Sequence, residues 1–330
     1  MALTSLLRAF APKSKSPAPP RVRIAVIGSG RMGQYHAQHL SRNPRAQLVG
    51  IADTDASRAQ AAARRYHTQA FQNVSELLGK IDAAVIATPT PSHHKVGKLL
   101  LEAGVSCLIE KPLASNLAEA EELIRLADQH KRVLQVGHIE RFNPAVIEAA
   151  RHIHAPQFIE VNRLGPYDPR VADIGVVMDL MIHDLDIVLF LVGEEVTRVE
   201  AFGARVLSHH EDIAKVRLHF KNGCIADLSA SRISLKKYRR IRIFQKDAYL
   251  SLDYADQKLL VYRKKSAVVK SLGDIQVLRP KLKKGDPLSL ELTHFLQCVQ
   301  EGKTPLVSGQ HGRDALDLAR EVLQNLRIHD

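Results

Sequence analysis

Hydrophobic and polar positions follow two different rhythms along this chain, and the change between them falls near residue 138. Before it, short apolar runs rich in Val, Ile and Ala occupy 23–27, 47–52, 70–71, 82–87, 105–109 and 133–137, with helically spaced segments at 31–40, 56–66, 75–78, 92–103 and 116–130 between them. Strands that alternate with helices predict a parallel, doubly wound sheet, with a ligand at the carboxyl ends of the strands. After a short helix and a strand at 157–163, the later stretches 214–220, 225–231, 241–245, 249–252 and 259–262 are separated by turn signals such as Lys221-Asn222-Gly223. That rhythm predicts an antiparallel meander. Two amphipathic helices, 287–300 and 310–326, close the chain. The expected division is a basic, disordered extension at 1–20, a first domain at 21–138 and a second at 139–330, in the α/β class.

One segment breaks both rhythms. Residues 176–192, VVMDLMIHDLDIVLFLV, are apolar except for Asp179, His183, Asp184 and Asp186. On a helix Asp179, His183 and Asp186 fall at i, i+4 and i+7 and share a face, while Asp184 points aside. Acids and an imidazole in so apolar a helix are costly unless paired or used. They read either as caps and a satisfied core histidine or as a general base held between carboxylates. Three carboxylates argue against a membrane span.

The first strand runs directly into Gly28-Ser29-Gly30-Arg31-Met32-Gly33, and a helix follows. Placed between strand and helix, this spacing predicts a dinucleotide turn. Gly28 allows the turn, Gly30 the approach of a pyrophosphate, and Gly33 close packing of helix on strand. The second strand ends at Asp53, positioned to accept hydrogen bonds from the adenosine ribose and to repel a 2′-phosphate. NAD is therefore expected rather than NADP, although Arg58 keeps the phosphate reading open. Two further strand ends carry candidates for the nicotinamide side: Thr88, Pro89 and His93 within ATPTPSHH, and Glu110 and Lys111 within EKP. Arg141, Asn143, Arg163 and Tyr167 are candidate substrate contacts.

The formal charge of +12 raises nucleic acid as a partner, through clusters such as Lys236-Lys237-Tyr238-Arg239-Arg240. No nucleic-acid motif accompanies them and aromatic residues make up 5% of the chain, so an anionic small substrate explains a basic rim equally well. The scattered Cys107, Cys224 and Cys298 form no CxxC pair, which argues against a disulfide framework or a structural zinc and for a reducing, cytoplasmic setting.

GSGRMG, Asp53, ATPTPSHH, EKP and DLMIHDLD, in that order, resemble the Gfo/Idh/MocA oxidoreductases over nearly everything from Arg21 onward. The resemblance implies an N-terminal Rossmann domain and a C-terminal α/β domain whose large open, mainly antiparallel sheet mediates homodimers or homotetramers. It implies Lys111, Asp179 and His183 as catalytic residues and Asp186 as a substrate contact. One departure is Gly175-Val176-Val177, where many members carry a Gly-Gly pair. VGHIERFNPA, RLGPY and VVMDLMIHDLD further resemble the branch that oxidises nucleotide-linked amino sugars such as UDP-GlcNAc at C3, for lipid A or related glycans. An inositol or free-sugar dehydrogenase, and a non-catalytic NAD(P)-binding sensor or scaffold, are the alternatives. In the expected mechanism an imidazole, His183, takes the hydroxyl proton, Asp179 orients it, and Lys111 stabilises the alkoxide. The histidine and lysine roles are exchangeable.

Overall fold

The computed structural model describes residues 20–169 and 174–329. The expected extension therefore lies outside the described residues, apart from Pro20. The chain divides into two compact units, one running up to Ile139 and resuming at Asp286–Leu316, the other formed by Glu140–Gly285 and the residues after Leu316.

The first unit holds a six-stranded parallel sheet, spatial order β3-β2-β1-β4-β5-β6. Its strands are β1 (Val22–Ile27), β2 (Ala46–Ala52), β3 (Gln69–Phe71), β4 (Ala83–Ile86), β5 (Ser106–Ile109) and β6 (Leu134–Val136). The order reverses between β1 and β4, the switch point where such sheets bind ligands. Crossover helices are α1 (Arg31–Leu40), α2 (Ala56–Tyr66), α3 (His93–Glu102) and α4 (Leu117–Gln129). Asp55 caps α2 by accepting from Arg58 N, and Asn116 caps α4 by accepting from Glu119 N. The doubly wound sheet is as the sequence predicts.

Helix α7 (Pro287–Glu301) forms where the sequence predicts it but packs with the first unit. Its Leu288, Leu292, Phe295 and Leu296 share one core with Ile24 and Val26 of β1, Leu40 of α1 and Val85 of β4. Their i, i+4, i+7, i+8 spacing builds the stripe that covers the sheet. Residues 286–316 therefore pack with the first unit although they follow the second in sequence. Helix α8 (Gly309–Gln324) carries the chain back.

The second unit is built on a nine-stranded sheet, with β7 (Pro156–Leu164), β8 (Val196–Ala204), β9 (Ile213–Phe220), β10 (Ile225–Ser231), β11 (Tyr238–Gln245), β12 (Ala248–Asp253), β13 (Lys258–Lys264), β14 (Ile275–Leu278) and β15 (Leu326–His329). Their order is β14-β13-β12-β11-β7-β10-β9-β8-β15. The expected meander is corrected in one respect: β7 inserts between β10 and β11, parallel to β10. β15 also joins β8 in parallel, at the edge. β7, β9 and β12 alternate buried with more exposed residues, so one face meets α5 (Pro144–Ala150) and α6 (Ile182–Val192) and the other stays open. On the open face Phe158, Phe244, Tyr249 and Tyr262 form a ladder with ring centroids 5.8, 4.9 and 5.4 Å apart.

Two titratable groups of α7 couple the first unit's stability to pH. Glu291 is 1% exposed, and burial, reinforced by the charge of Glu110, pushes its carboxyl well above the usual range. His294 is pulled down to about 4 by burial, and its Nε2 accepts from Leu306 N. Folding keeps the proton on Glu291, so its contribution is full below the unfolded carboxyl pKa and is lost as pH rises. The neutral His294 contributes fully above an unfolded pKa of about 6.5 and loses that as pH falls toward 4. Denaturation midpoints of Glu291→Gln should exceed wild type increasingly from pH 5 to 8. A constant offset overturns the assignment.

Candidate functional site

In the first unit, the glycine turn is fixed by contacts a side chain would destroy. Gly28 lies at φ +94°, and a Cβ there would sit 2.6 Å from the Ala87 carbonyl oxygen. A Cβ on Gly33 would lie 1.8 Å from the Gly28 oxygen, so helix and turn touch as backbone. A Cβ on Gly30, by contrast, meets nothing within 4 Å. Gly30, Arg31 and Met32 are exposed along that open rim. The Asp53 carboxylate accepts from Ser29 N at 2.8 Å, Ser29 Oγ at 2.7 Å and Asp55 N at 2.9 Å, with Arg58 Nη2 at 3.3 Å. Burial opposes its charge, but these donors outweigh it and hold the carboxyl below its ordinary range. Thr88 Oγ1, beyond β4, is buried without a hydrogen-bond partner in the structure. An open backbone turn, an ionised acid and an unused hydroxyl along the strand ends fit a dinucleotide.

Pro89 is exposed in the same loop. His93 is 1% exposed, with its ring nitrogens 2.9 Å from the carbonyl oxygens of Pro112 and Thr88. It ties the loop after β4 to the EKP loop, and both nitrogens face carbonyls. Glu110 follows β5, and its Oε1 lies 2.7 Å from Nε2 of the fully buried His36 on α1. Burial opposes the charge on Glu110, but the hydrogen bond and charge of His36 and the adjacent Lys111 draw its carboxyl below the usual range. Lys111, half-buried, donates its backbone N to Glu110 Oε2 at 3.3 Å, and the Lys111–Pro112 bond is cis. Sequence reading missed His36. Its signal was the buried face of α1, where Gly33, His36, Ala37 and Leu40 recur at helical spacing.

In the second unit, the apolar helix begins as a π turn, Val177–Met181, before α6. Such turns are rare and gather at functional sites. The turn is held from outside: Val176 N donates to Glu211 O, and Val177 N donates to Glu211 Oε1 at 3.1 Å. A Cβ on Gly175 would lie 2.0 Å from that oxygen, so any side chain there must push the Glu211 carboxylate aside. Burial works against the charge of the neighbouring Asp212. The amides of Val206, Leu207 and Ser208 together with Arg232 outweigh it and keep Asp212 far below the carboxylate range. Arg232 spans to Ile174 O at 2.6 Å and lies 5.4 Å from the centroid of the Tyr167 ring.

The four polar groups of the helix separate into two pairs. Asp186 receives both nitrogens of Arg141 at 2.8 and 2.6 Å, and the guanidinium stacks 4.7 Å above Phe190. Asp184 accepts from Arg163 Nε and Nη2 at 2.7 and 2.8 Å, and the third nitrogen, Nη1, donates to Glu140 at 3.1 Å. Asn143 caps α5 through its Oδ1 and donates to Tyr254 O at 3.1 Å. Arg141, Asn143, Arg163 and Asp186 are each at most 2% exposed. The structure thus gives four of the five expected substrate contacts internal partners. Asp179 and His183 remain half-exposed, one turn apart. Among the described residues no helix is long and apolar enough to cross a membrane, and the three cysteines are free and buried.

Residues 22–138 match the model described as "Oxidoreductase family, NAD-binding Rossmann fold", and residues 148–251 the GFO/IDH/MocA C-terminal domain. A UDP-N-acetylglucosamine 3-dehydrogenase of Acidithiobacillus ferrooxidans is 37% identical over 91% of this chain and 96% of its own. Its solved structure superposes with a TM-score of 0.86, covering 93% of this chain and 98% of that one. A scyllo-inositol 2-dehydrogenase (NAD(+)) of Bacillus subtilis is 30% identical over 87% of this chain and 89% of its own.

Two changes test how the helix is held. Asp186→Asn strands the buried Arg141 charge and should cost about 3–5 kcal/mol in urea unfolding. Gly175→Ala should lower the midpoint as well, by forcing Glu211 off the Val177 amide. A wild-type midpoint for either refutes its contact.

Proposed function

We propose that this chain, which belongs to the Gfo/Idh/MocA oxidoreductase family, oxidises the C3 hydroxyl of a nucleotide-linked amino sugar, UDP-GlcNAc or a close relative, with NAD as acceptor. That it is a sugar dehydrogenase follows from the family and from relatives named as dehydrogenases. The observation that supports the catalytic assignment is the division of the apolar helix. Asp184 and Asp186 are tied inward by arginines, while Asp179 and His183 alone of its polar groups are left half-exposed.

A bound nicotinamide would supply the acceptor for the hydride of the carbinol carbon. Gly28, Gly30, Arg31, Met32 and Gly33 would hold its pyrophosphate, Asp53 the adenosine ribose, and Thr88, Pro89, His93, Glu110 and Lys111 would border the nicotinamide side. His183 takes the hydroxyl proton, a role an imidazole suits at neutral pH. Asp179, one turn earlier, orients the ring and stabilises its protonated form. The Lys111 ammonium stabilises developing charge on the same oxygen. The carboxylate of Asp53, ionised and oriented by four donors, disfavours a 2′-phosphate and supports NAD over NADP. The aromatic ladder on the open sheet face is the surface through which copies of the chain pair. A second reading, a polyol dehydrogenase, has the Bacillus subtilis relative in its favour.

NADH formation at 340 nm, with UDP-GlcNAc, its uronate, free hexoses and inositols, decides the substrate. His183→Ala and Lys111→Ala should each lower kcat by about a hundredfold or more with the active substrate. Near-wild-type turnover in both removes the mechanism. Asp53→Ala should raise kcat/KM for NADP relative to NAD, and an unchanged ratio counts against the ribose assignment. Phe244→Glu should reduce the mass seen by light scattering. If wild type is already monomeric, the pairing surface is wrong.

A further inference from the structure

We propose that Arg239 is the residue that grips the anionic group of the sugar substrate, a phosphate or a carboxylate, and so selects charged sugars over neutral polyols. The proposal rests on the dehydrogenase reading above. Along β11 the side chains alternate, and Ile241 and Ile243 are fully buried on the helix-covered face. Arg239 shares that face, directly opposite Arg163 of β7. Arg240 and Arg242 turn to the open face, where they pair with Asp253 and Glu160. Of the two arginines in the run Lys236–Arg240, therefore, only Arg239 is directed toward the layer of the helix that carries Asp179 and His183.

Its surroundings leave it poorly neutralised. Arg163 already holds Asp184 with two hydrogen bonds and Glu140 with a third at 3.1 Å. Arg239 reaches that same Glu140 only at 3.8 Å, with its side chain 37% exposed. Burial and the nearby Arg163 charge press its pKa down, while Glu140, Asp184 and Asp179 press it up. Asp179 is thus within electrostatic reach, and it is the carboxylate that opposes an incoming anion. Arg163 and Arg239 face three anions, Asp184, Glu140 and Asp179, and the exposed Lys236 and Lys237 add two positive charges in the same segment.

The segment between β10 and β11 is anchored at its start. Arg232 bonds Ile174 O just before the π turn, and Asp179 in that turn acts electrostatically on Arg239. Between them Lys236, Lys237 and the 97% exposed Leu235 project outward. A guanidinium offers a planar fork that matches phosphate or carboxylate, stays charged at physiological pH, and gains most where water is partly excluded. The anion would then sit at Arg239 while the sugar ring reaches toward Asp179 and His183.

The test uses the full chain, with UDP and glucuronate as probes in titration calorimetry and UDP-GlcNAc with NAD in kinetics. Arg239→Gln should weaken binding of the recognised anion by about tenfold or more, with Arg239→Lys recovering part of the loss. KM for UDP-GlcNAc should rise more than kcat falls, with NAD affinity and thermal midpoint unchanged. A purely structural role would move the midpoint and NAD affinity instead. Where Arg239→Gln does not fold, Arg239→Lys carries the test, and an unaltered Kd in it refutes the proposal. Loss for UDP assigns a diphosphate, and loss for glucuronate assigns a carboxylate. If wild type binds neither probe, or both variants bind as wild type does, the proposal falls, and NAD-dependent oxidation of a neutral polyol would still uphold the dehydrogenase reading. If UDP binds through Arg239 but no sugar reduces NAD, the anion site stands and the functional reading falls.

Discussion

Two doubly hydrogen-bonded arginine–aspartate pairs let a helix as apolar as 177–192 carry two carboxylates into the interior. Each of Asp184 and Asp186 would be prohibitive alone, because a carboxylate moved out of water loses far more solvation than packing returns. Arg163 and Arg141 restore that loss through two short bonds apiece, and Tyr254 and Phe190 cover the guanidinium faces at 5.3 and 4.7 Å. Such pairs are directional where hydrophobic contacts are not. They fix the helix in rotation and along its axis, and with it the orientation of Asp179 and His183.

The nucleotide-binding unit follows the same economy with other means. Its precision comes from backbone touching backbone at Gly28 and Gly33, and from a carboxylate, Asp53, preoriented by four protein N–H or O–H donors before any ribose arrives. Behind Lys111 a buried imidazole and carboxylate, His36 and Glu110, are joined at 2.7 Å. The lysine therefore follows a residue that is itself anchored, and the proline after it is fixed through His93. Preorganisation of this kind lowers the ordering that ligand binding would otherwise have to supply.

Much of this was legible because it is local. The strands of the first unit are apolar runs, the glycine turn is a short spacing, and the helix 177–192 is a block of hydrophobic residues with a polar stripe. What was not legible is non-local. The insertion of β7 beside β10 depends on pairing across more than sixty intervening residues, and α7 joins the first core after eight of the second sheet's nine strands have intervened. Arg141, Asn143 and Arg163 read as candidate ligand contacts because neither a guanidinium nor a carboxamide carries a local mark of the internal partner it finds, here Asp186, Tyr254 O and Asp184. Glu211, placed against Gly175 from a distant loop, gave no local signal either. The family resemblance supplied what local reading lacked, the joint roles of EKP and DLMIHDLD.

The π turn at 177–181 amounts to a single surplus residue accommodated within a helix. An α-helix advances about 100° per residue, so removing that surplus would swing everything upstream by nearly a third of a revolution relative to everything downstream. The downstream part is clamped by arginines and the upstream part by Glu211, so neither end is at liberty to absorb such a rotation. The bulge works as a phase adjuster. It reconciles two independently anchored ends, and an insertion or deletion anywhere between Gly175 and Asp184 would force one of those anchors to let go.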